Sequence, residues 1–354
     1  MTTPNTPPAV PPQARFFQWV QVWASLMLCH SLVKTGVIEQ MAGQPRTVDE
    51  IADACGLHRD TLYRALRMTT TLDITAREGD RYALTNLGRM MLKDTPGSMV
   101  NGIQMMGTEG YQRPWQNFAY SLATGESAFT HVMGMPFFDY LEQYPELGLP
   151  FQQQMAIYAQ MTDPALVPAY DFSPFRTVCD VGGGQGAFLK RVMEANPHLR
   201  GILYDMPGVV ANHVLGEIDD RAEVVAGSFF ERVPSADLLI LKAVLHDWSD
   251  AQCAVILERC RQAMQPGSKL LIIDRVIAEP VDAMSAFYDL HMLVQIGGRE
   301  RTAEEFRALL AHAGLQMQRI IVPPASPLFP LRFVEAAAYR GARQKARARA
   351  GPPP

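Results

Sequence analysis

From residue 177 onward the chain repeats one plan: a short aliphatic run, a turn, then a stretch compatible with a helix. Thr177–Val181 is an apolar strand. Ile202-Leu203-Tyr204 ends in Asp205, and Ala222–Val225 leads into Gly227-Ser228-Phe229-Phe230. The runs 236–241 and 269–273 are nearly continuous Leu and Ile, the second ending in Asp274. Runs that are apolar on both faces belong to strands covered on both sides. Their alternation with helices such as 187–194, 253–264 and 302–313 dictates a mostly parallel sheet flanked by helices. Ligands of such sheets bind beyond the carboxyl ends of the strands. Asp180, Asp205, Ser228, Lys242 and Asp274 all fall at such ends.

The first of these strands runs directly into Gly182-Gly183-Gly184-Gln185-Gly186. Without a Cβ, glycine makes a tight turn and lets backbone lie against a ligand. The helix that follows offers unpaired N–H groups at the same place. An adenosine-containing cofactor fits, but two kinds compete. Gly182-x-Gly184-x-x-Ala187 satisfies the loose dinucleotide fingerprint, and Asp205 stands at the spacing expected for a ribose contact. Against a nicotinamide oxidoreductase stand the long helical region before the fold, Asp180 just ahead of the glycines, and the segment Leu238–Asp250.

Before residue 170 the chain is helical with one small strand patch. Phe16, Val20, Trp23, Met27 and Leu28 recur at helical spacing and make a face that needs a partner. Thr47-Val48-Asp49-Glu50 has the form of a capping box opening a helix that Gly56 ends, and a second helix spans Arg59 to Leu72. Ile74-Thr75-Ala76, a turn at 78–80 and Tyr82-Ala83-Leu84 make a hairpin. Helix–turn–helix plus hairpin is a winged helix, so a regulator with a ligand-binding domain is a competing reading. However, Arg59, Arg64 and Arg67 are offset by Asp49, Glu50, Asp53, Asp60 and Asp73, and the whole chain has a net charge of −4. DNA-reading modules carry a clear basic excess, so packing or dimerisation is the better account.

Nothing basic and apolar resembling a signal peptide opens the chain, and no uninterrupted apolar run reaches the ~18–20 residues of a membrane span. Five cysteines without a Cys-x-x-Cys pair give neither a disulfide framework nor zinc-ligand spacing. These features predict a cytoplasmic protein with reduced thiols, no metal, and no nucleic-acid or membrane partner. Residues 1–14 and 341–354 are expected to be tails with little to bury.

Five motifs occur in order: Asp-Val-Gly-Gly-Gly-x-Gly (180–186), Tyr-Asp-x-Pro (204–207), Gly-Ser-Phe-Phe (227–230), Leu-Lys-x-Val-Leu-His-Asp-Trp (241–248) and Gly-Gly-Arg-Glu-Arg-Thr (297–302). In this the chain resembles the S-adenosylmethionine-dependent small-molecule O-methyltransferases of the caffeic-acid type, from the helical N-terminus to about Tyr339. The resemblance implies an α/β fold: a Rossmann-like methyltransferase sheet behind an N-terminal, mostly helical winged-helix domain. It implies a homodimerisation domain over 15–100, a helical linker over 101–170 contributing to the substrate pocket, and a cofactor domain over 171–340. It implies S-adenosylmethionine as cofactor, with Gly182 and Gly184 against its methionyl part and Asp205 on the ribose hydroxyls. Ser228 and Phe229 would border the adenine, with Lys242 beside it. Plant members carry Asp at the position of Ser228, which leaves the adenine contact open here.

Methyl transfer from a sulfonium is an in-line displacement, so the enzyme aligns the acceptor and removes its proton. A phenol has a pKa near ~10, and a nearby histidine can take the proton during attack. His246, at a strand's carboxyl end, is the candidate base. The resemblance implies supporting carboxylates, which spacing assigns to Asp274 and Glu300, with Asp274 in place of the usual glutamate. Asp247 either lines the transfer site or caps the next helix. The acceptor is expected to be an aromatic small molecule of natural-product metabolism, held by Phe151, Met155, Asp289 and Met292. A family member that uses the cofactor without methylating is a further alternative.

Overall fold

The structure, a computed structural model, describes residues 11–216, 220–324 and 330–339. The expected tails at 1–10 and 341–354 lie outside these residues. The chain divides into two compact units. One comprises the residues up to 113 together with 141–157. The other comprises 114–140 and the described residues from 158 onward, so the helical stretch 101–170 is split between them.

In the first unit, a helix spans Pro12–Lys34. Proline suits a helix start, where its missing N–H costs nothing. Residues 12–14, expected in the tail, are therefore helical. Phe16, Phe17, Trp19, Val20, Val22 and Trp23 are each 59–76% exposed, and only Leu32 is buried. By length and composition alone this helix meets the requirement for a membrane span, which the reading of uninterrupted apolar runs did not register. Polar Gln18, Gln21, Ser25 and His30 interrupt the run without lowering its mean below that requirement.

The elements expected at 47–92 are present. Thr47 and Glu50 form the capping box of helix Val48–Cys55, and Gly56 closes it in the left-handed conformation. Helix Arg59–Thr71 follows. Strands β1 (Arg46–Thr47), β2 (Thr75–Glu78) and β3 (Arg81–Leu84) pair in the order β1-β3-β2, all antiparallel. Ile51, Leu62, Leu66, Ile74 and Tyr82 form the core beneath them.

The second unit is built on eight strands: β4 (Thr177–Val181), β5 (Arg200–Asp205), β6 (Ala222–Ala226), β7 (Leu238–Lys242), β8 (Lys269–Ile277), β9 (Arg301–Thr302), β10 (Leu315–Ile321) and β11 (Leu331–Ala338). The order is β10-β11-β8-β7-β4-β5-β6, with β9 on the end of β8. Strands β6 to β8 along this path are parallel, and β11 is antiparallel to both its neighbours. Successive side chains of a strand face opposite ways. Leu239, Leu241, Leu270 and Ile272 accordingly pack on one face with Ile256, Leu257, Phe306 and Leu310. Leu238, Ile240, Leu271 and Ile273 pack on the other with Phe188, Leu189 and Val192. Both faces are covered, which is why the strands lack polar alternation. The strand order reverses at β4, between β5 and β7, and a crevice forms at such a switch point.

Candidate active site

Strand β4 ends at the glycine turn. Gly182, Gly184 and Gly186 have φ of +71°, +61° and +85°, where other residues are strained. A Cβ on Gly182 would lie 2.9 Å from Val244 Cγ2 and 3.3 Å from Phe229 Cε1, so no side chain fits. Asp205 accepts from the N–H of Gly184 (2.8 Å) and of Met206 (2.7 Å), and burial pushes its pKa up. A carboxylate facing this turn suits the hydroxyl donors of a ribose. Asp180, 1% exposed, has no hydrogen-bond partner at either carboxylate oxygen. Burial pushes it up to about 7, against the opposing pull of Lys242. A buried, undonated carboxylate under the turn matches a cofactor bearing sulfonium and ammonium charge. It opposes a pyrophosphate there, because like charges raise each other's cost.

Two predicted cofactor residues have other contacts. Ser228 Oγ accepts from the Phe230 N–H (3.3 Å), the geometry of a turn residue. Lys242 Nζ lies 3.0 Å from Asp163 Oδ1 and 5.2 Å from the Phe188 ring centroid. Asp163 is fully buried, and no sequence signal singled it out. Phe229 packs edge-on against Phe230 (5.0 Å) and Trp248 (6.0 Å).

Beyond β7 the backbone turns out of the sheet at Ala243, at φ +52°, and one 3-10 turn, Leu245–Asp247, presents His246. The imidazole meets three carboxylates. Nδ1 lies 3.5 Å from Glu300 Oε1 and 3.6 Å from Asp274 Oδ1, while Nε2 lies 3.3 Å from Asp247 Oδ1. The predicted trio is thus together. Burial disfavours the imidazolium, but Asp247, Asp274 and Glu300 outweigh it and push His246 up to about 10. Burial pushes Asp274 up to about 7 and Asp247 to about 6, with the His246 charge pulling both back. Asp247 does not cap the following helix. Ser249 caps Asp250–Ala263, with Gln252 completing the capping box.

The Gly-Gly-Arg-Glu-Arg-Thr segment holds this turn through its backbone. The Arg299 N–H donates to the His246 carbonyl (2.9 Å). A Cβ on Gly298 would lie 2.0 Å from that same carbonyl oxygen. Arg301, 1% exposed, donates to the carbonyls of Leu245 (2.8 Å) and Trp248 (2.9 Å), and twice to Asp250 Oδ1 (3.0 and 2.8 Å). Hydrogen bonds from a charged donor contribute ~1.5–3 kcal/mol each. Arg275 is also buried, and its Nε lies 3.4 Å from Glu300 Oε1. Sequence reasoning missed both arginines, because arginine is rarely fully buried.

On helix Ala283–Ile296, Asp289 accepts from the Glu300 N–H (3.0 Å). It therefore braces the cluster. Met292 follows on the same helix and is half-buried. Trp115, Phe287 and His291 form an aromatic panel nearby in this unit. The Trp115 ring runs parallel to Phe287 (6.1 Å, 6°) and near-parallel to His291 (6.1 Å, 19°). The Trp115 Nε1–H donates to His291 Nδ1 (3.4 Å), and burial pushes His291 down to about 4, so it is neutral at physiological pH. Phe151 and Met155 belong to helix Pro145–Leu166 within the first unit, half-buried and 39% exposed respectively.

Residues 115–316 match the O-methyltransferase domain family. The chain is 36% identical over 335 residues to a phenazine O-methyltransferase of Lysobacter antibioticus, covering 93% of this chain and 98% of that one. Among solved structures it resembles the mitomycin 7-O-methyltransferase MmcR, with a TM-score of 0.86, 34% identity, and coverage of 92% and 98%. It also resembles NcsB1, an O-methyltransferase of neocarzinostatin biosynthesis in complex with S-adenosylmethionine and a hydroxy-methyl naphthoic acid. There the TM-score is 0.76, the identity 30%, and the coverage 89% and 96%.

Proposed function

The chain belongs to the S-adenosylmethionine-dependent O-methyltransferases, and from that premise we propose that it methylates a phenolic hydroxyl of an aromatic small molecule, with His246 as general base. Membership sets aside the nicotinamide oxidoreductase. The relatives' names, in phenazine, mitomycin and neocarzinostatin chemistry, support natural-product metabolism as the setting.

The observation that carries the reading is one imidazole enclosed by three carboxylates at the switch-point crevice, 20% exposed in its side chain. When bound, the cofactor supplies an activated methyl group on a sulfonium. His246 supplies the other half. Asp274 and Glu300 face Nδ1 and keep a proton there, so Nε2 is the atom that takes the acceptor's hydroxyl proton. Asp247 faces Nε2 and, with 19% of its side chain exposed, passes that proton towards water. The acceptor oxygen is left as a nucleophile. The carboxylates hold His246 at a proton affinity close to a phenol's ~10, so transfer between the two is nearly balanced. The Trp115–His291–Phe287 panel gives the aromatic ring a flat surface, and a neutral His291 adds no competing cation.

A second copy of the chain is the proposed cover for the exposed Phe16–Trp23 surface, since so large an apolar patch marks an interface.

The test pairs His246→Ala with a panel of phenols, following release of S-adenosylhomocysteine and product mass. The variant should lose ~10²–10⁴ in kcat with cofactor Kd unchanged. Near-normal turnover in that variant would remove His246 from the mechanism and leave alignment alone.

A further inference from the structure

Arg275 carries a charge that the mechanism above does not use. It lies on β8 directly after Asp274, 3% exposed, and its guanidinium carbon sits 4.3 Å from the Tyr288 ring centroid. Its Nε is 3.4 Å from Glu300 Oε1, the same oxygen that is 3.5 Å from His246 Nδ1. One carboxylate oxygen is thus shared by a fixed cation and by the base. Arg275 Nε and Nη1, Glu300 Oε2, His246 Nδ1 and both Asp274 oxygens are buried without a hydrogen bond. With those atoms unpartnered, the charges of Asp247, Asp274 and Glu300 carry much of the coupling to the imidazole.

We propose that Arg275 is a positioning residue for the base: acting through the shared Glu300 carboxylate, it limits how tightly the acidic cluster holds the imidazolium. The proposal rests on the general-base reading for its catalytic meaning. The groups facing His246 are Asp247 on its own turn, Asp274 and Arg275 from β8, and Glu300 and Arg301 from the segment after helix Ala283–Ile296. Asp289 and Tyr288 lie on that helix. Of the two cations, Arg301 spends its hydrogen bonds on the backbone and Asp250 while its charge reaches Asp274, and Arg275 is the one set against Glu300, the carboxylate shared with the imidazole. Three carboxylates and one imidazolium leave a net negative group. Arg275 offsets part of it from no more than about 7 Å, where one charge is worth about one pH unit or more of proton affinity.

The experiment is a titration of His246 by proton–carbon NMR on the full chain labelled at histidine, with the His246→Asn spectrum assigning its signal among the eight histidines. No acceptor is needed. At pH 10 the wild-type signal should lie between its limits, since burial and the carboxylates set His246 at about 10. Arg275→Met should stay at the cationic limit, and Arg275→Lys, which keeps the charge, should track wild type. The double variant Arg275→Met/Glu300→Gln should titrate below wild type. Wild type and Arg275→Met titrating together, or Arg275→Met titrating at lower pH, would overturn the proposal. Should Arg275→Met fail to fold, as judged by circular dichroism, the Lys and double variants decide. A double variant titrating with or above wild type overturns the proposal equally. If His246→Ala keeps full turnover while Arg275→Met shifts the titration, the base reading fails and the coupling stands.

Discussion

Gly298→Ala adds one methyl group to a residue that bears no reactive atom, yet it should disable the enzyme. Gly298 does not sit in the left-handed region, so alanine is conformationally acceptable there. The obstacle is space. The new Cβ would meet the His246 carbonyl oxygen at 2.0 Å and the Asp247 Cα and carbonyl carbon at 2.9 and 2.8 Å, all backbone atoms. Ordinary contact needs ~3.4 Å or more, so the 245–247 turn must retreat by about 1 Å or the 297–302 segment must. Either motion alters the His246–Glu300 spacing, because each element carries one partner. A misplacement of ~1 Å costs ~10²-fold in rate. Overpacking of this kind also costs about 1–3 kcal/mol of stability. The glycine turn at 182–186 is untouched, so calorimetric cofactor affinity should hold. The assay is kcat by S-adenosylhomocysteine release beside cofactor Kd and Tm. Wild-type turnover would refute the backbone-contact argument, and a matching loss of cofactor affinity would show a general collapse.

Two further outcomes follow from the same geometry. As the proposed base, His246 would act only without its proton, and its three carboxylates hold it well above its ordinary pKa. The kcat/KM for any acceptor should therefore climb with pH, about tenfold per unit below the midpoint, and a flat profile between pH 7 and 9 contradicts the base assignment. If the proposed second copy covers this face, replacing Phe16, Trp19 and Trp23 together with Gln should weaken self-association at least ~100-fold by sedimentation, and a wild-type chain that stays monomeric, or unchanged self-association of the variant, would exclude that face.

The sheet was legible because its signal is dense. Leu238–Leu241 and Leu270–Ile273 are buried on both faces, and their short length and alternation with helical stretches separate them from a buried helix. The trio His246, Asp274 and Glu300 was legible through resemblance and strand ends, since strand ends converge at a crevice. Other features depended on contacts between distant segments, which periodicity does not record. Arg275 and Arg301 have the composition of surface residues and are buried only because Glu300 and the 245–248 carbonyls meet them. The polar partner of Lys242, Asp163, lies 79 positions earlier in the chain. Helix caps differ in legibility: the Thr47–Glu50 box is visible in the sequence, whereas the next helix after His246 is capped by Ser249, two residues past Asp247, and not by the aspartate.

The grip of Arg301 on the His246 turn has a consequence for descent. Its hydrogen bonds there go to the carbonyls of Leu245 and Trp248, atoms that every amino acid possesses. The anchorage is thus indifferent to what the side chains at 246 and 247 are. A lineage can exchange its base, lose it, or acquire another reactive group at those two positions while the turn keeps its place in the crevice. The scaffold separates where chemistry happens from which chemistry it is, and so leaves reaction type open to drift under a constant fold.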